Sequence, residues 1–180
     1  MFDYKKYINS AAIINEIKTD LNYDGQQDYL IYSNQGEETY LDVLLKNDHG
    51  YLAISIPTGE EYEIISNNSK SEIRVATGTF PTYGSPQGGD IHYWYDFYLI
   101  KDKSIVLNNI EHAVFYKEQM LKYQNRIADI ESNIPEMVRQ FKKEDLDEYF
   151  IETQVKWKKQ TIGSYENFIR KANGIIKNKL

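Results

Sequence analysis

The sequence predicts an α+β protein, an antiparallel β-meander of about six to seven strands followed by a helical C-terminal region. Three observations carry that prediction. Short runs rich in Tyr, Ile and Val, each bounded by turn-forming residues, fill residues 28 to 108. After residue 112 the apolar spacing changes to alternating steps of four and three. Strands first and helices afterwards is the order of an α+β chain, not of alternating βαβ units.

The first 19 residues admit two readings. Ser10 followed by AAIINEIK opens like a short helix, whereas INEIKTD runs like a strand, and the expectation is helix, then strand. Seven strand-sized pieces follow: DYLIYS, TYLDVLLK, GYLAISI, EYEIIS, SEIRVATGTF, HYWYDFYLI and KSIVLN. Asn34-Gln35-Gly36, Asp48-His49-Gly50, Pro57-Thr58-Gly59 and Asn67-Asn68-Ser69 punctuate them, and links this short predict hairpins. The longest irregular stretch, PTYGSPQGGD at residues 81–90, exceeds an ordinary turn and is a candidate binding loop or a mobile hairpin tip.

Three helices are expected beyond it. The first carries the stripe Tyr116, Met120, Tyr123, Ile127, Ile130 and Ile134; Pro135 then suits the first turn of a second. That second helix bears Leu146, Tyr149, Phe150, Thr153 and Trp157, and a third bears Tyr165, Phe168, Ile169, Ala172 and Ile176. Tyr116, Tyr123, Tyr149 and Trp157 can bury area while keeping a polar tip wet, which suits a partner or the chain's own sheet.

The chain has 180 residues, of which 41% are hydrophobic and 14% aromatic, enough for one compact core with at most a small appendage. The expected organisation is a β-rich domain over 1–112 and a helical region over 113–180 packed on it. Cysteine is absent, which excludes disulfides, thiolate metal sites and Cys nucleophiles. No window reaches the roughly 18 apolar residues of a membrane span, and the N-terminus lacks the apolar run of a secretory signal.

Charge is uneven. Residues 1–110 hold 8 Lys and Arg against 16 Asp and Glu, whereas residues 111–180 hold 13 against 11. An acidic first half repels phosphate backbones, so nucleic acid is not an expected partner.

One motif carries chemistry. Asp20-Leu21-Asn22-Tyr23-Asp24-Gly25-Gln26-Gln27-Asp28 places oxygen-bearing side chains at the first, third, fifth and ninth positions and glycine at the sixth. A hard cation takes six to eight oxygens at about 2.3–2.6 Å, and alternate residues around a tight turn can aim them inward. The Gln26 carbonyl would supply a further oxygen. The twelfth position, a bidentate Glu in an EF-hand, is Ile31 within an evident strand, so the loop is not helix–loop–helix. The alternative is a polar turn closed by Asx hydrogen bonds, with Asp20 and Asp28 solvated.

DLNYDGQQDYLIYS resembles the calcium loops between strands of FG-GAP and VCBS-type repeats, whose pattern is Asp-x-Asp/Asn-x-Asp-Gly-x-x-Asp and then an apolar strand. The likeness covers residues 20–33, and more loosely the strands to about residue 100, where DFYLI is similar to single-domain bacterial proteins of this sort, many of them exported. It implies structural Ca2+ on Asp20, Asn22, Asp24, Gln26 through its carbonyl, and Asp28. A single motif in a chain this short excludes a propeller, which needs four or more blades.

Other constellations are sparse. His49, His92 and His112 form no zinc-type pair, and no GxSxG, P-loop or GxGxxG pattern occurs. Alternation along IHYWYDFYLI places His92, Trp94 and Asp96 on one face, which with Tyr83 forms a candidate recognition surface. The plainer reading of that face is a packed strand with a hydrogen-bonded His–Asp pair. Glu60-Glu61 and Asp145–Asp147 read as solvated acids, so no catalytic set emerges.

Two functional readings follow. The first is a non-catalytic, calcium-stabilised module acting through a protein or ligand partner. The alternative is an acidic immunity or inhibitor protein that neutralises a bacterial toxin or hydrolase. Weak calcium sites fill at extracellular concentrations, so a periplasmic or extracellular location with the signal removed is preferred to a cytoplasmic one.

Overall fold

The computed structural model describes residues 6–8, 12–59, 61–67, 70–81 and 91–179. Among the described residues, eight strands and two long helices follow one another in the order expected of an α+β chain. The strands are β1 (Ala12–Thr19), β2 (Asp28–Gln35), β3 (Glu38–Asn47), β4 (Gly50–Thr58), β5 (Tyr62–Asn67), β6 (Lys70–Pro81), β7 (Ile91–Lys101) and β8 (Ser104–Leu107). A short 3-10 turn at Asn109–His112 leads into α1 (Ala113–Lys143), and α2 is Glu148–Lys179.

The strands form two four-stranded sheets, ordered β1-β2-β3-β4 and β5-β6-β7-β8, instead of one continuous meander. Each is a meander in its own right, and the two-residue links β2–β3, β3–β4, β5–β6 and β7–β8 force those neighbours to pair antiparallel. Asn47 pairs Gly50 across β3 and β4, and Lys101 pairs Ser104 across β7 and β8. Pro57-Thr58-Gly59 does not make the expected hairpin. Instead Gly59 N–H donates to Ala76 O at 2.5 Å and Ala76 N–H to Glu61 O at 2.9 Å, which ties the crossing chain to β6. β1 is a strand throughout, so at residues 12–19 the strand reading of the N-terminal segment prevails; residues 9–11 lie outside the described residues.

The chain divides into two compact units, residues 1–78 with 95–109 and residues 79–94 with 110–180. In the first unit the inward faces of the two sheets share one core. Leu30, Leu41, Val43, Leu45 and Ile56 come from one sheet and Ile73, Val75 and Ile100 from the other, joined by Leu21 of the 20–28 loop. The opposite face of the first sheet carries a smaller cluster of Ile8, Tyr29, Ile31 and Leu44. This two-sided burial explains why β3 reads as a continuous apolar run, not as strict alternation. It also encloses Asp42, which accepts from Ser33 Oγ at 3.0 Å and from the hydroxyl of Ser55.

In the second unit, aromatic side chains hold one end of an antiparallel helix pair. Trp94 stacks on Tyr116 and meets Phe168, each at 5.0 Å between ring centroids, and Tyr123 lies 4.9 Å from Tyr165 and 4.5 Å from Phe168. The Lys171 ammonium sits 3.8 Å over the Trp94 ring.

Two helices stand where three were expected. Pro135 lies inside α1 instead of starting a helix, and the second stripe from Tyr149 onward and the third are one helix, α2, with Leu146 in the turn before it. The real break is at residues 144–147. There Asp145 adopts φ 55°, Asp145 N–H bonds Lys142 O at 3.4 Å and Leu146 N–H bonds Phe141 O at 3.1 Å. This pair of bonds is a Schellman stop, with aspartate where glycine is usual. Asp147 then starts α2, its carboxylate accepting from Phe150 N–H at 2.8 Å. The two acids that read as solvated in the sequence therefore end one helix and begin the next.

Candidate functional site

The 20–28 loop joins β1 to β2. Tyr23 at φ 59° and Gly25 at φ 80° reverse the backbone, a conformation that costs glycine little and tyrosine more. The reversal turns successive N–H groups inward, onto the acidic side chains. Asp20 accepts from Asp24 N–H at 3.1 Å and from Gly25 N–H at 2.8 Å, through different oxygens. Asp24 accepts from Gln26 N–H at 2.8 Å. Asn22 accepts from Asp24 N–H at 3.3 Å, donates to Asp24 at 3.1 Å and donates to the Asp102 carbonyl at 2.7 Å.

Asp28 differs from the other two acids. It is fully buried, where the sequence reading allowed a solvated side chain, and each of its oxygens takes one backbone N–H, from Leu21 at 2.9 Å and Lys46 at 2.7 Å. One carboxylate thus joins the loop, the start of β2 and the end of β3. Burial pushes its carboxyl above the ordinary Asp value, the N–H groups of Lys46 and Leu21 pull the other way, and the charges of Asp24 and Asp20 add to the rise.

The donor set consists of three carboxylates, an amide and a backbone carbonyl, all oxygen, which is the chemistry of a hard divalent cation. Each carboxylate oxygen that takes one N–H keeps a second lone pair for a metal. Among the described residues no three carboxylate, imidazole or thiolate groups already converge on one point. Beside the loop, a cavity of about 280 Å³ is lined by Asn22, Lys70, Leu99, Ile100, Lys101 and Asp102.

The face of β7 resolves differently from its sequence reading. His92 and Asp96 are on the same side of the strand but do not pair with one another. Asp96 accepts from Thr77 Oγ1 at 2.5 Å and from Asn109 Nδ2 at 2.6 Å, and Asn109 Oδ1 in turn accepts from Phe97 N–H at 2.8 Å. His92 Nε2 lies 2.8 Å from Arg126 Nη1 and 3.0 Å from Tyr165 OH. Trp94 is 1% exposed and belongs to the core of the second unit. Tyr83 lies outside the described residues, as does most of the 81–90 loop.

Arg126 has no place in the sequence reading, and Tyr165 enters it only as a member of an apolar stripe. Arg126 sits three residues from Tyr123 on the same helix face, and that spacing was the available signal. Its Nη1 also donates to the Tyr165 hydroxyl at 3.4 Å, so Arg126, His92 and Tyr165 form one polar group.

No protein-family model, curated protein or solved structure matches this chain.

Proposed function

We propose that the chain is a non-catalytic binding module of the exported bacterial type, stabilised by a structural calcium ion. The observation that carries this reading is the loop from Asp20 to Asp28, in which Asp20 and Asp24 accept the N–H groups of a turn reversed at Gly25 and Asp28 anchors the loop's far end to Leu21 and Lys46. The ion would be held by Asp20, Asn22, Asp24, the Gln26 carbonyl and Asp28. Its positive charge offsets the repulsion among the acids and the burial cost of Asp28. Because Asp28 also bonds Leu21 and Lys46, order imposed at the loop extends into β2 and β3. Recognition of a partner falls to the face of β7 around His92, and to residues 81–90.

The deciding experiment is a thermal melt with calcium and then with chelator, at matched ionic strength. Calcium at about 100 times its Kd adds about 2.7 kcal/mol to the folded state. For a chain of this size that is a rise in Tm of about 5–10 °C. No change across millimolar calcium would reduce the loop to a polar turn.

The second reading, an acidic immunity or inhibitor protein, is supported by the excess of 16 acids over 8 bases in residues 1–110. It requires tight, salt-sensitive binding to a basic toxin or hydrolase. Binding that ignores ionic strength would remove it.

A further inference from the structure

The 31 residues of α1 and 32 of α2 make a hairpin about 47 Å long at 1.5 Å per residue. Its aromatic core ends near Tyr123 and Tyr165. Beyond that, the far half is a two-helix arm closed by the Phe141–Phe150 contact, with ring centroids 5.5 Å apart. Two helices have too few inward positions to bury all their apolar side chains. Tyr149 is 80% exposed, Phe150 39% and Leu146 38%. A groove of about 840 Å³ opens here, with Val138 and Leu146 among its apolar walls.

The part of the groove contributed by α2 has an ordered charge pattern. Glu148 and Glu152 come first, then Lys156 and Lys159, with Ile151 and Val155 between them. Glu152 and Lys156 have the spacing of a helical ion pair, yet none of these four charged side chains makes an ion pair or side-chain hydrogen bond among the described residues. The pattern is charge-inverted about its own centre. Glu148 with Lys159, Glu152 with Lys156, and Ile151 with Val155 all have midpoints at residues 153 to 154. An antiparallel copy of the same helix, centred there, brings each glutamate within about one residue, roughly 1.5 Å along the axis, of a lysine.

We propose that this groove is a homodimer interface, occupied by α2 of a second copy of this chain packed antiparallel about a two-fold axis near Thr153 and Gln154. The two hairpins then form a four-helix arrangement. An isologous contact requires one patch to be complementary to itself, which is what this charge order supplies. Attraction alone would suit many partners; self-complementarity selects another copy. The inference stands apart from the calcium reading, and association is expected with calcium and with chelator alike.

Three variants of the full chain test it by sedimentation or light scattering. At about 100 µM, far above a micromolar Kd, the wild-type protein is expected to be dimeric. E148K/E152K makes the helix face basic and K156E/K159E makes it acidic. Each alone is expected to weaken self-association at least about a hundredfold, since like charges then face one another. An equimolar mixture of the two restores a 1:1 dimer. E148K/E152K/K156E/K159E keeps the composition and inverts the pattern, and should dimerise like wild type, which separates a lost interface from a lost fold. A wild-type protein that stays monomeric, single-sign variants that still dimerise, or a mixture that does not associate would each overturn the proposal.

Discussion

The Asn22 side chain donates to the backbone carbonyl of Asp102 at 2.7 Å, joining the 20–28 loop to the β7–β8 turn across 80 positions of sequence. Asp102 adopts φ 52° in that turn, and its carbonyl is an acceptor the loop meets only in the folded unit. The same side chain is the third-position oxygen of the calcium spacing. Asn22→Asp removes the donor to Asp102 and adds a fourth charge beside Asp24. It should lower the Tm in chelator and enlarge the rise on adding calcium, read by paired melts; equal shifts in both buffers would separate Asn22 from the metal.

Asp24 is the position at which charge and turn geometry can be separated. Asp24→Asn keeps an oxygen for Gln26 N–H but loses a carboxylate. The chelator melt should barely move, while the calcium-dependent rise falls by half or more. If both melts drop together, the Asp24 charge serves the turn and not a cation.

Asp28→Ala leaves two buried N–H groups, of Leu21 and Lys46, without their acceptor. Each such loss costs about 1–3 kcal/mol, so destabilisation of about 2–6 kcal/mol is expected. It should appear even in chelator, in contrast to Asp24→Asn, and urea denaturation without calcium measures it.

Burial pushes the Tyr123 phenol above its ordinary value of 10.0, with Tyr165 adding to the rise and Arg126 opposing it. The stability this contributes is fully present below pH 10 and is lost as pH rises through the folded value, because the unfolded chain ionises first. Tyr123→Phe should therefore flatten the alkaline fall in the urea midpoint above about pH 10 while changing the neutral midpoint little. An unchanged alkaline slope would assign that fall to other tyrosines such as Tyr98, whose phenol burial also raises.

The loop shows how far local sequence reaches. Asp20, Asn22, Asp24 and Gly25 are close in the chain, and their mutual hydrogen bonds follow from spacing and one backbone reversal. The burial of Asp28 does not, because it depends on Lys46 N–H and on a core assembled from both sheets. Pro135 misled in the opposite way. The apolar stripe continues past it, from Ile134 to Val138 and Phe141, and packing along that stripe outweighs a local breaker.

By itself the sequence determined the order of strands before helices, the antiparallel hairpins at three of the four short links, the acidic first half and the oxygen-rich loop, since all depend on neighbours within a few residues. Tertiary structure alone decided where β4 leaves one sheet for another, that His92 meets Arg126 and Tyr165 instead of Asp96, and which helix face stays uncovered. The physical reason is that burial and pairing are set by what arrives from distant parts of the chain. Alternation puts His92 and Asp96 on the same side of β7, but different elements supply their partners.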